Sequence, residues 1–140
     1  MIDKAIQQYR TVISIKSDQY MAHTNLGLAY MAKGLTEQAI EHHKTAIRIK
    51  PDESRPYSNL GNVYMSLGDY PEAVRQYKTA IRLDPALAVA HHNLGVAYRS
   101  LGDTEMAIRQ YNRALRLRPG WELSLKELEQ INKERLSGQN

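Results

Sequence analysis

Asn59-Leu60-Gly61-Asn62-Val63-Tyr64 stands between two near-copies of itself, Asn25-Leu26-Gly27-Leu28-Ala29-Tyr30 before it and Asn93-Leu94-Gly95-Val96-Ala97-Tyr98 after it, each 34 residues away. The copies extend outward in phase. Each hexad is followed at fixed offsets by a second glycine (Gly34, Gly68, Gly102), an alanine (Ala39, Ala73, Ala107), another alanine (Ala46, Ala80, Ala114) and a proline (Pro51, Pro85, Pro119). Five residue types held in register over three copies establish a 34-residue repeat and make a stacked array the expected architecture.

Periodicity then assigns the elements. Ile2, Ala5, Ile6, Tyr9, Val12 and Ile13 form an i, i+3, i+4 apolar stripe, which predicts an amphipathic helix over residues 2 to 15. Ala5 and Tyr9 match Ala39 and His43 one repeat later, so this first helix corresponds to the second helix (B) of a repeat whose first helix (A) is missing. Asp18 precedes an A helix over about 19 to 33, and Thr36 with Glu37 opens its B helix over about 36 to 49. Pro51 ends that helix because the residue before a proline leaves the α region. The second repeat spans about 53 to 84, with Pro56 and Pro71 in first turns where no N–H is needed. The third spans about 87 to 118, with Asp103 or Thr104 as N-cap. Short connections make consecutive helices antiparallel. In this scheme Gly27, Gly61 and Gly95 face the small Ala39, Ala73 and Ala107, allowing close helix approach. Past Pro119 the pattern decays: Leu128 keeps the phase of Leu94, but Glu129 replaces the glycine. Leu125, Leu128 and Ile131 then give a capping helix one apolar face under a charged coat. The expected organisation is one domain over 1–140: a half repeat at 1–18, repeats at 19–52, 53–86 and 87–120, a cap at 121–137 and a frayed tail at 138–140.

These residues resemble the tetratricopeptide repeat, with its aromatic, Leu-Gly, Tyr, Ala, aromatic, Ala and Pro pattern, over roughly residues 20 to 119. The departures fall at the bulky aromatics: His23, Tyr57 and His91 occupy the Trp position, and His43, Tyr77 and Tyr111 the Phe position. The resemblance implies an all-α, right-handed solenoid of antiparallel helix pairs, whose A helices line a concave groove for a peptide of a partner protein. Carried over by repeat position, the groove residues are Met21, Thr24, Asn25, Leu28 and Met31, then Arg55, Ser58, Asn59, Asn62 and Met65, then Val89, His92, Asn93, Val96 and Arg99. Asn25, Asn59 and Asn93 form a ladder of amides, each able to donate and accept. It is similar to the Asn ladder of the repeat superhelix in O-linked N-acetylglucosamine transferases, which implies sequence-independent grip on an extended backbone. The structural account of the same residues is an Asn bonded to a neighbouring helix end. Met21, Leu28, Met31, Met65, Val89 and Val96 surround the ladder with adaptable apolar surface, part of which inter-repeat packing must use.

Other chemistries are weaker. Chaperone-binding members of the family hold a C-terminal carboxylate with a Lys and Asn clamp; here Thr24 or Ser58 takes the lysine place and only Asn62 and Asn93 match, so that clamp is not expected. Five histidines invite a metal reading, but His42-His43 and His91-His92 are adjacent pairs that diverge by about 100° on a helix, and the chain has no Cys. No nucleophile triad, phosphate-cradling loop or paired carboxylate emerges, so neither enzymatic activity nor a cofactor is expected. Net charge is +4 with pI about 9.3. Arg48, Arg82 and Arg116 share one B-helix row that could meet nucleic acid or anionic lipid, yet Glu41, Asp52, Glu53, Asp84 and Glu105 interrupt it, and a solvated convex face is the better account. No run approaches the roughly 20 apolar residues of a membrane span, which makes a cytoplasmic location the expectation.

The expected function is therefore a non-enzymatic interaction scaffold for a protein or peptide partner. Two alternatives stand beside it. One is self-assembly through the bare N-terminal stripe of Ile2, Ile6, Tyr9 and Ile13, giving a homo-oligomer. The other is a substrate-recruiting fragment of a larger enzyme.

Overall fold

A computed structural model describes residues 1–138, so Asn140 and its neighbour at the expected frayed tail lie outside the described residues, while Gly138 is the C-cap of the last helix. Among the described residues all regular structure is helical, in the order α1 (Ile2–Ile15), α2 (Tyr20–Ala32), α3 (Thr36–Ile49), α4 (Ser54–Ser66), α5 (Tyr70–Leu83), α6 (Ala88–Ser100), α7 (Thr104–Leu117) and α8 (Glu122–Ser137). The pairs α2/α3, α4/α5 and α6/α7 are the three repeats. The A helices α2, α4 and α6 also touch one another directly, α2 with α4 and α4 with α6, which puts them on one side of a right-handed solenoid.

The turn inside each pair comes from backbone chemistry. At the end of α2 the Leu35 N–H donates to Tyr30 O at 2.9 Å and the Gly34 N–H to Met31 O at 2.9 Å. This double closure needs a left-handed residue, which Gly34 supplies at φ +74°. The same pair of bonds recurs at Gly68 and Gly102. The residue that closes the motif then starts the next helix. Asp69 and Asp103 each accept from the backbone N–H three residues on, at 3.2 and 3.1 Å, whereas Leu35 has no oxygen to offer and leaves α3 without a side-chain cap. Of the two candidates for α7, Asp103 is the cap.

Packing within a repeat differs from the expected glycine-on-alanine contact. A Cβ built on Gly61 would lie 2.6 Å from the Tyr77 ring, one on Gly95 2.7 Å from Tyr111 and one on Gly27 2.6 Å from His43. The glycine is there because a ring on the B helix lies against the A-helix backbone, and Ala39, Ala73 and Ala107 are buried one turn away from that contact. Burying a ring as fully as Tyr77 contributes about 1.5–3 kcal/mol, and the absent Cβ is what makes it geometrically available.

The ends differ from the middle. Val12 of α1 is 43% exposed while its counterpart Ala46 is 0% exposed, because α1 packs on α2 alone. At the other end α8 does not use the expected Leu125, which is 47% exposed; Ser124 and Ile131 are buried instead, with Leu128 packed beside them. The helix is rotated so that Ser124 meets His92, the two joined at 2.9 Å.

Candidate functional site: the concave groove

The concave side holds two depressions of different character. The larger, about 310 Å³, is lined by Tyr20, Met21, Thr24, Asn25 and Leu28 of α2, Arg55, Ser58 and Asn59 of α4, and Leu87 with Val89 at the start of α6. The smaller, about 160 Å³, is lined by Asn62, Met65, Tyr77, Asn93 and Val96. Twelve of the fifteen expected groove residues thus line one depression or the other. Met31 is half-buried and lines neither. His92 and Arg99 are engaged by the cap. His92 is buried against Trp121 and Tyr111 and bonded to Ser124, and its burial lowers its pKa. Arg99 donates to Glu127 at 2.5 Å and to Glu134 at 2.7 Å. Burial opposes its charge, but these two carboxylates leave its pKa raised.

The asparagine ladder is chemically uneven. Asn93 Nδ2 donates to Asn62 Oδ1 at 2.9 Å, and the same oxygen accepts the Tyr77 hydroxyl at 2.6 Å. Burial raises the Tyr77 pKa, which keeps that hydroxyl a donor. One repeat earlier, Leu28 stands where Asn62 would be and His43 where Tyr77 would be, so neither an amide nor a phenol reaches Asn59. Among the described residues, Asn25 and Asn59 make no side-chain hydrogen bond to the protein, and both border the larger cavity. Thr24 turns its hydroxyl back to Tyr20 O at 2.8 Å.

His43 is fully buried and, among the described residues, neither of its ring nitrogens has a hydrogen-bond partner. Burial, with a smaller contribution from His42, pushes its pKa down to about 4. The remaining histidines anchor the frame. His23 Nε2 donates to Ser17 O at 3.1 Å, Tyr57 donates its hydroxyl to Pro51 O at 3.0 Å, and His91 Nε2 donates to Pro85 O at 3.1 Å. One side chain in each A helix thus ties down the inter-repeat loop at the same phase. With its Nε2 committed, His23 accepts at Nδ1 from His42 Nδ1 at 3.0 Å; burial and then the neighbouring His23 lower the His42 pKa. Among the described residues no three His, Asp or Glu side chains converge as metal ligands.

Three lining residues lie beyond the sequence-based set: Tyr20 and Leu87 in the larger depression and Tyr77 in the smaller. Leu87 is the informative one: it is apolar at a phase where the preceding repeats carry Gln19 and Glu53, and that break in pattern is a readable signal. Tyr20 lies next to Met21, and its hydroxyl donates to Glu53 at 3.3 Å. Of the N-terminal stripe, Ile6 is buried and Tyr9 and Ile13 are half-buried, with Ile2 exposed. Arg48, Arg82 and Arg116 are all exposed on the B-helix side. No described helix is long and apolar enough to cross a membrane.

Comparison with known proteins follows the same outline. The family described as "TPR repeat" matches residues 2–34, 29–68 and 61–102, and the one described as "Tetratricopeptide repeat" matches residues 88–120. No curated protein matches the chain. Among solved structures, "Crystal structure of MamA" superposes with a TM-score of 0.79 at 24% identity, over 99% of this chain and 92% of that one. A second, "Crystal structure of MamA protein", gives 0.78 at 28% identity over 88% and 67%. "First TPR of Spaghetti (RPAP3) bound to HSP90 peptide SRMEEVD" gives 0.81 at 22% identity over 86% and 96%. The family matches run without a gap from the first helix through the third repeat, over the same glycines, rings and turns that build the solenoid. The chain belongs to the tetratricopeptide repeat family.

Proposed function

We propose that this chain is a non-enzymatic scaffold that holds a segment of a partner protein in its concave groove, gripping the segment's backbone with the amides of Asn25 and Asn59. One observation carries the reading: both amides border a cavity of about 310 Å³ and, among the described residues, have no hydrogen-bond partner. Each amide–backbone bond contributes about 0.5–1.5 kcal/mol, and apolar contacts with Met21, Leu28 and Val89 add to it. A solved neighbour at 22% identity, a TPR of RPAP3 bound to an HSP90 peptide, supports the general class of partner. Asn62, Met65, Asn93 and Val96 continue the groove but with amides already joined to each other. The test is capture of partners from lysate by the wild-type chain, by Asn25→Ala/Asn59→Ala and by Asn93→Ala, at matched helicity. Partners lost by the double variant and kept by Asn93→Ala support the reading. An unchanged set in the double variant overturns it.

The uncovered face of α1 supports a second reading, docking of α1 on another copy, since Val12 lies open where Ala46 is sealed. Light scattering between about 1 and 100 µM separates the two. A mass rising above one chain supports self-association, and a constant monomer mass removes it.

A further inference from the structure

We propose that the segment held at the larger cavity carries an aliphatic side chain beside an acidic residue, the first entering the cavity and the second pairing with Arg55. This rests on the groove reading above and gives it a chemical identity. Met21, Leu28, Leu87 and Val89 make the walls of the cavity apolar, and among the described residues Arg55 is the one charged residue in the lining. Among the described residues Arg55 makes no ion pair, although carboxylates elsewhere on this side are taken: Glu53 by Lys50 at 3.6 Å and by Tyr20, Glu127 and Glu134 by Arg99. The two groove arginines are therefore opposites. Arg99 is neutralised within the molecule, and Arg55 presents an unshared guanidinium fork to whatever lies in the groove, a geometry that suits carboxylate. A cavity of about 310 Å³ is at the small end of ligand pockets, which suits one or two side chains and not a helix. The groove continues past it to Asn62 and Asn93, so the segment runs through, and the carboxylate is that of an internal Asp or Glu.

The probes are acetylated, amidated dipeptides titrated into the full chain labelled with nitrogen-15, with the side-chain amide signals of Asn25, Asn59 and Asn93 as reporters. Leu-Asp and Asp-Leu probes carry both features, the Leu-Asn and Asn-Leu probes lack the charge, and Gly-Asp lacks the aliphatic group. N-acetyl-leucine places the carboxylate at a chain end. The expected result is saturable shifts at Asn25 and Asn59 but not at Asn93, with one acidic order binding about threefold more tightly than its amide isostere, the scale of an exposed ion pair. That preference disappears in Arg55→Gln, and Gly-Asp binds more weakly. Equal affinity for the Asp and Asn probes overturns the proposal while leaving the groove reading intact, and so does tightest binding by N-acetyl-leucine, which assigns the site to a chain terminus. Absence of shifts with every probe also overturns it, and the capture experiment then decides independently whether the groove binds at all.

Discussion

His43 is the residue at which this chain departs most from its own repeats, and the departure is energetic. Tyr77 and Tyr111 fill the same place with a hydroxyl that finds Asn62 or Glu127, whereas His43 buries two nitrogens with no partner. Leaving a buried polar group unsatisfied costs about 1–3 kcal/mol, so His43→Phe should raise stability by about 1 kcal/mol in chemical denaturation. Its pKa of about 4 lies below the unfolded value of 6.5, so between those pH values the unfolded chain binds a proton that the folded chain refuses. Stability therefore falls as pH drops through that window, by up to about 3 kcal/mol, and the phenylalanine variant should lose this part of the slope. Gly61→Ala tests the opposite side of the same contact. Its Cβ would stand 2.6 Å from the Tyr77 ring, and the expected cost is about 1–3 kcal/mol. The polarity of His43 was legible in the sequence, but its isolation was not, because that depends on Leu28 of another helix standing where the next repeat has the Asn62 that receives Tyr77.

At the scale of the element, caps and clasps set how firmly each helix ends. Asp69→Ala and Asp103→Ala should each cost about 1 kcal/mol in thermal unfolding, while substitution of Leu35, which makes no side-chain cap, should show no loss of that kind. Helix order and bounds were readable because the 34-residue phase repeats every turn signal three times; α2, expected from about 19, starts at Tyr20. The capping helix was read less well. Its periodicity put Leu125 inward, yet the bond from His92 to Ser124 and the clasp of Arg99 on Glu127 and Glu134 turn that residue to solvent. Long-range polar partners such as these leave no trace in hydrophobic spacing. Arg99→Ala should increase amide hydrogen exchange in α8 and leave α4 and α5 unchanged.

For the molecule as a whole, the repeat phase prescribed the solenoid, and it also suggested three equivalent asparagines. The equivalence fails because a ladder's chemistry depends on what stands beside each rung: Leu28 at one, Asn62 at the next. The concave face is consequently uneven: the amides of Asn25 and Asn59 border the larger cavity, whereas those of Asn62 and Asn93 are joined to each other. Exchange should follow position as well, fastest in the terminal helices α1 and α8 and slowest in the central ones. Beyond contacts of α2 with α4, α4 with α6 and the side-chain bonds of α6 to α8, packing runs between helices adjacent in sequence. Among the described residues, nothing braces one end of the coil against the other. Such a body behaves mechanically as a spring: small rotations at each seam add along the axis, and its softest deformation changes pitch. A segment bound across the A helices would span those seams and act as a strut, so the length of coil a partner occupies would also set its stiffness.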